Sequence, residues 1–243
     1  MPQDVLPDTF RFRASRPVGG DTFSKPGIAA GGIDQDGFRL PTVLRTLDGA
    51  WVADGWGAVT MIPGSPVTGS QADWAIVLAA GRALHDATAH LPRPPFLEAR
   101  TDAWARADRA TWGSHPIDVP ADLSELVSRL REAFAPLGPD QLIHGDLTNN
   151  VLVAKGASPG IIDFSPYWRS PQYAKGVVVA DALCWHAAPP DLRLSLEVPL
   201  SAVARGLHFR LLTSIEMNTR SEPAIRIRED LNRYQLVMDA IGL

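Results

Sequence analysis

An α+β chain in two lobes, a small β-rich one followed by a larger, mainly helical one, is what this sequence predicts. Three observations carry that reading. Residues 1–63 hold strand and turn signals with little helical periodicity. Pro63-Gly64-Ser65-Pro66 then stops the pattern abruptly. Beyond it, apolar residues recur at helical spacing through much of residues 64–243. The lobes are therefore placed at 1–63 and 64–243.

Taken in order, Thr9-Phe10-Arg11-Phe12-Arg13 alternates apolar and polar residues, as a half-buried strand does. Thr42-Val43-Leu44-Arg45 and Trp51-Val52-Ala53 flank Leu47-Asp48-Gly49, and an Asp-Gly pair between such segments predicts a hairpin. Gly57 to Ile62 reads as a further strand. In residues 71–90, Trp74, Val77, Leu78 and Leu84 share one helical face. Leu123, Leu126, Val127, Leu130 and Phe134 form a second stripe, with Asp122 and Glu125 at the spacing of a capping box. Three short strands are expected around residues 141–144, 151–154 and 160–163, the last two joined by a turn over residues 156–160. Helices follow near 171–187, 199–217 and 223–241.

Hydrophobic content of 45% and charged content of 21% fit an ordinary globular protein. A net charge of −4, with no basic run, argues against a nucleic-acid partner. The single cysteine, Cys184, excludes an intramolecular disulfide and a cysteine-rich zinc site. Its apolar setting, Val177 to Trp185, reads as a buried helix with an inert thiol. No apolar run approaches the roughly 20 residues that span a bilayer, so no membrane partner is expected. Met1-Pro2-Gln3-Asp4-Val5 lacks the order of a signal peptide, and a cytoplasmic location is the expectation.

The chemistry lies in Leu142-Ile143-His144-Gly145-Asp146-Leu147-Thr148-Asn149-Asn150-Val151-Leu152 and in Gly160-Ile161-Ile162-Asp163-Phe164. Short apolar segments set two carboxylates and an amide at their ends. Phosphoryl transfer from a nucleotide needs such a set: one carboxylate beside the acceptor hydroxyl, then an amide and a second carboxylate holding Mg²⁺. Asp146 is the candidate base, Asn150 a metal ligand and Asp163 the main metal ligand. Asn149 competes with Asn150. Asp163 follows two isoleucines, and a carboxylate buried there without a partner would be costly.

The order His-Gly-Asp, Asn, then Ile-Asp-Phe resembles the aminoglycoside phosphotransferase and choline kinase-like family, relatives of the protein kinases. The resemblance, clear from about residue 40 to residue 190, implies a protein kinase-like two-lobed fold. It favours Asn150, which directly precedes an apolar strand as the family's asparagine does. The family more often places five residues between aspartate and asparagine, where this chain has four. By the same resemblance His144 is structural, bonding to backbone around the metal-binding aspartate, and Asp181 ties its helix back to the catalytic loop. Ser165 to Arg169 stands where protein kinases carry an activation segment, and here it is short. Trp168 and Arg169, with Trp185 and His186, are candidates to shape an acceptor pocket. A packed aromatic cluster explains the tryptophans equally well. The adenine is expected near Met61, Ile62 and Pro63, contacted mainly by backbone.

A complete family member opens with a glycine-rich hairpin and a strand lysine paired with a helix glutamate. Here Arg16 stands where the lysine aligns, and its planar fork is not an equivalent phosphate partner. Lys25, the only lysine before Lys155, is the possible substitute, and no glutamate precedes Glu98. Gly19-Gly20 and Gly31-Gly32 match no phosphate-loop spacing. The expected function is transfer of the γ-phosphoryl of ATP or GTP to a hydroxyl of a small molecule, with Mg²⁺ as cofactor. The alternative, supported by the missing lysine–glutamate pair, is a catalytically inactive, kinase-derived binding module. A metal-dependent hydrolase using the same carboxylates comes third.

Overall fold

A computed structural model describes residues 9–13, 33–54, 56–218 and 224–243. The small lobe is an antiparallel sheet of order β1-β3-β2, built from β1 (Thr9–Arg13), β2 (Val43–Leu44) and β3 (Trp56–Thr60). Phe10 and Val43 both pair with Val59, so apolar and β-branched residues line up across the sheet. β4 (Ser65–Pro66) follows, then α1 (Gln71–Thr88), α2 (Phe96–Ala99), α3 (Ala103–Thr111) and α4 (Ser124–Glu132). Next come β5 (Gln141–His144), β6 (Val151–Val153), β7 (Gly160–Ile161) and β8 (Pro166–Arg169). The chain closes with α5 (Pro171–Trp185), α6 (Leu192–Ser195), α7 (Leu200–Asn218) and α8 (Ala224–Ile241). The arrangement is the kinase-like one, a small sheet followed by a larger helical part.

Several local expectations are corrected. The Asp48-Gly49 turn forms, with the Gly49 N–H donating to Thr46 O at 2.9 Å, but residues 51–53 are not the second arm. β2 pairs instead with β3, where Val59 offers an apolar partner. Trp51 is taken up by the Arg45 guanidinium, 3.8 Å from its ring, and Ala53 folds back on Trp56 in a tight reversal. Asp122 and Glu125 form no capping box, because a 3₁₀ turn at Ala121–Leu123 runs directly into α4. The capping box belongs to α1: the Asp73 N–H donates to Ser70 Oγ, and the Ser70 N–H to Asp73 Oδ2. The three expected strands around the motif fall into two sheets. β6 and β7 pair with each other and with β4, whereas β5 pairs with β8.

The main core lies in the helical part. α5 is apolar on every side and buried from Tyr173 to Cys184, apart from half-buried Lys175. It packs against α7 at backbone contact: a Cβ on Gly176 would sit 2.0 Å from Ala202 O, and one on Gly206 2.6 Å from Gly176 O. Only glycine permits this approach. Ile33 and Phe38, from the segment before β2, join the same core. Next to them, Arg39 bridges in parallel to Gly160, and its Nε donates to Ser158 O at 2.7 Å. Among the described residues, no helix is long and apolar enough to cross a membrane.

Candidate active site

β5 delivers His144 to the edge of the helical core, and the chain then turns at Gly145 with the Tyr167 ring against it. A Cβ on Gly145 would lie 2.3 Å from Tyr167 Cδ2, so glycine is required for the turn. Asp146 follows, half-buried, and the loop re-enters sheet structure at Val151. The β6–β7 hairpin, with Val151 opposite Ile161 and Leu152 opposite Gly160, carries the chain to Ile162 and Asp163. Asp163 has φ +49° and Asn149 φ +63°. Both sit in the left-handed region, which aspartate and asparagine tolerate better than most residues. Contrary to a buried reading of Asp163 after two isoleucines, its side chain is exposed.

Four hydrogen bonds order the site, two within the first loop and two crossing to the second. The Asp146 N–H donates to His144 Nδ1 at 3.1 Å, and His144 Nε2 lies 3.1 Å from Ile162 O. Those partners require a neutral imidazole with its proton on Nε2. The Ile162 N–H donates to Asn150 O at 2.9 Å, and Asn150 Nδ2 donates to Asp146 O at 2.7 Å. His144 is fully buried, and burial lowers its pKa, which favours that neutral form. A second histidine, His85 of α1, accepts the His144 N–H on Nε2 at 3.1 Å. Burial, with His144 and Lys175 adding to it, pulls His85 down to about 3.

Beneath the loop, α5 and α7 meet in a charged bridge. Arg210 places Nε 2.7 Å and Nη2 2.6 Å from the two carboxylate oxygens of Asp181, and Nη2 is also 2.6 Å from Asp146 Oδ1. Asp181 thus reaches the loop at Asp146 through Arg210.

The remaining candidates are placed as follows. Met61 is 42% exposed, whereas Ile62 is buried with its Cγ2 against Gly160. Arg169 is held in a two-pronged ion pair by Asp108 of α3, at 2.6 and 3.1 Å. With Trp168 it lines a small pocket of about 40 Å³ that also takes in Arg93, Arg100 and Arg109. Trp185 packs edge-on to Tyr234, and His186 edge-on to Trp74. Arg16 and Lys25 lie outside the described residues. β1 ends at Arg13 opposite Trp56, at the end of the sheet away from Met61.

Among the described residues, no three His, Cys, Asp or Glu side chains gather in a metal cluster. Asp163 and Asn150 fit a hard divalent cation of a different kind. The Asn150 amide nitrogen is spent on Asp146 O, leaving Oδ1 as its free acceptor, and the Asp163 carboxylate is exposed. Mg²⁺ is commonly held by one or two protein oxygens together with substrate phosphates and water.

Sequence reasoning missed Arg210, His85 and Asp108. A signal existed for the first. Arg210 stands in Leu207-His208-Phe209-Arg210-Leu211-Leu212 and Asp181 in Val177-Val178-Val179-Ala180-Asp181-Ala182-Leu183. Opposite charges embedded in two apolar helices require a partner, and each is the other's.

The comparisons with known proteins agree with this geometry. A crystal structure of aminoglycoside phosphotransferase from Alicyclobacillus acidocaldarius subsp. acidocaldarius DSM 446 superposes with a TM-score of 0.56 at 15% identity, covering 86% of this chain and 76% of that one. A thermostable mutant of aminoglycoside phosphotransferase APH(4)-Ia, in ternary complex with ADP and hygromycin B, gives 0.55 at 14% identity, covering 86% and 79%. The apo form of a thermostable mutant of APH(4)-Ia gives 0.55 at 15% identity, covering 86% and 80%. At these identities the likeness concerns the fold. A comparison with curated proteins gave no match. The model of the phosphotransferase enzyme family, by contrast, matches residues 29–167, more than half of the chain and the whole catalytic loop and β6–β7 hairpin, and the protein belongs to that family.

Proposed function

We propose that this protein transfers the γ-phosphoryl group of ATP or GTP to a hydroxyl of a small molecule, within the helical lobe of residues 64–243 and against the small sheet of residues 1–63. The observation that carries the reading is the stitching of Asp146, Asn150 and Asp163 into one unit through His144. That unit carries the half-buried Asp146 carboxylate, the half-buried Asn150 with Oδ1 left as its free acceptor, and the exposed Asp163 carboxylate. Asp146 orients the acceptor hydroxyl and takes its proton on a carboxylate oxygen. The acceptor oxygen forms a bond to the γ-phosphorus as the bond to the β-bridging oxygen breaks, and the nucleoside diphosphate leaves. Asn150 Oδ1 and the Asp163 carboxylate would hold Mg²⁺, which when bound neutralises charge on the phosphates. Neighbours of the same fold were solved with ADP or AMP-PNP together with hygromycin B, which supports a nucleotide and a small-molecule acceptor as partners.

Titration of ATP and of GTP in the presence of Mg²⁺ tests the nucleotide half. Asp163→Asn is expected to weaken binding about tenfold or more while the unfolding midpoint holds. Unchanged affinity in that variant would remove Asp163 from the site. For the transfer half, the assay is label moved from γ-labelled nucleotide onto a panel of hydroxyl compounds. Asp146→Asn should lower turnover roughly a hundredfold with nucleotide affinity little changed. Nucleotide binding with no transfer to any acceptor or to water would favour the binding-module alternative.

A further inference from the structure

We propose that Arg210 is the positioning residue of Asp146, a role that rests on Asp146 being the group that meets the acceptor. The geometry is unusually constrained for a surface loop. Asp181 is 4% exposed and grips the guanidinium through both of its oxygens, at 2.7 and 2.6 Å. A planar fork held at two points has its remaining N–H directions fixed, including the second one on Nη2. That direction ends on Asp146 Oδ1 at 2.6 Å. Among the described residues nothing donates to Asp146 Oδ2, so Oδ2 is the oxygen left to receive the acceptor hydroxyl.

The clamp is set by backbone contact further along the same helices. Gly206 lies one helical turn before Arg210, and Gly176 lies five residues before Asp181. Because α5 and α7 touch through these glycines, the two helices bring Arg210 and Asp181 to hydrogen-bond distance. Arg210 comes from 64 residues downstream of Asp146, and that ion pair fastens the loop to the far end of the chain.

The decisive measurement is a double-mutant cycle on unfolding with Asp146→Ala, Arg210→Met and the double variant. A clamp predicts that the double variant's unfolding constant departs from the product of the two single effects by about tenfold or more. Additivity within about twofold would overturn it. If Arg210→Met leaves Asp181 uncompensated and fails to fold, Arg210→Lys replaces it in the cycle, since lysine keeps the charge but not the fork. The kinetic arm uses Mg²⁺ and ATP with water as acceptor, read as phosphate release. Arg210→Lys should lower kcat about tenfold or more with the nucleotide KM within about twofold, and millimolar guanidinium ion should restore turnover to Arg210→Ala. A rise in KM at constant kcat, or no rescue, would overturn the positioning role. Should the unaltered protein release no phosphate, the cycle alone decides on the clamp, and the phosphotransferase reading is what loses support.

Discussion

Removing the His144 imidazole tests the link between the two loops. His144→Ala takes the acceptor from the Asp146 N–H and the donor from Ile162 O, bonds of 3.1 Å each. Orphaning a buried polar group costs about 1–3 kcal/mol, and since both bonds are part-buried the lower half of that range applies, about 1–1.5 kcal/mol apiece. The ring itself is fully buried and packs edge-on to Phe164 at 5.4 Å between centroids. Its loss adds a cavity cost of about 1–2 kcal/mol. The total is about 3–5 kcal/mol, which for a chain of this length lowers Tm by about 6–20 °C. Two further variants separate the bonds. Asn at this position places a polar atom near Nδ1 and can keep the Asp146 contact; Gln reaches toward Nε2 and can keep the Ile162 contact. Each should recover part of the loss. Urea and thermal unfolding followed by circular dichroism read the effect. A cost for His144→Ala below about 1 kcal/mol would refute the argument that this ring ties the loops.

Two more outcomes follow from the packing. Burial holds both His85 and His208 near a pKa of about 3, against about 6.5 in an unfolded chain. The folded state therefore binds fewer protons than the unfolded state between those values, and stability falls as pH drops through that window. From pH 7 to pH 5 each histidine removes about 2 kcal/mol; a flat Tm over that range, or an unchanged slope in His85→Gln, would contradict it. Gly176→Ala forces a Cβ to within 2.0 Å of a backbone oxygen that has no room to move, so it should cost about 3 kcal/mol or more in urea unfolding. A loss under about 1 kcal/mol would mean that the helices part easily.

The course of the chain through residues 141–161 was legible because its signal is local. A short run of residues holds the strand, the turn and all three oxygen-bearing side chains, and β5, β6 and β7 lie within a residue or two of where the apolar segments put them. α1 was legible from its apolar stripe and α5 from its long apolar run, both local signals. What escaped was set by distant partners. β8 reads as a loop until β5 lies beside it, with Leu142 opposite Trp168. The hairpin at Asp48-Gly49 carried a correct turn signal, but the choice between residues 51–53 and β3 as partner was decided by Val43 against Val59, which no turn rule sees. α2 and α3 were missed because Pro94-Pro95 and a run of alanines with alternating arginines and aspartates give little apolar periodicity. α3 is fixed from outside, by Asp108 to Arg169 and by Arg106 to Glu216. Exposure of Asp163 also depends on tertiary context: two isoleucines before it signal a strand, but only the φ of +49° shows that the chain turns outward there.

The pairing of Thr42 with Thr60 has a mechanical consequence. The Thr60 N–H donates to Thr42 O and the Thr42 N–H to Thr60 Oγ1, both at 2.9 Å, so the chain entering β2 and the chain leaving β3 are latched side by side. Immediately below the latch both chains are anchored. The Arg39 N–H donates to Pro159 O and the Ile161 N–H to Arg39 O, each at 2.8 Å, while Ile62 packs on Gly160. Together with β4 pairing on β6 and Arg39 Nε on Ser158 O, these crossings tie the sheet to the β6–β7 hairpin. A tilt of the sheet on these anchors would displace its residues in proportion to their distance from Thr42 and Thr60. Trp56 and Arg13, at the far end of β3 and β1, swing most. Met61 follows Thr60 directly and would be displaced least.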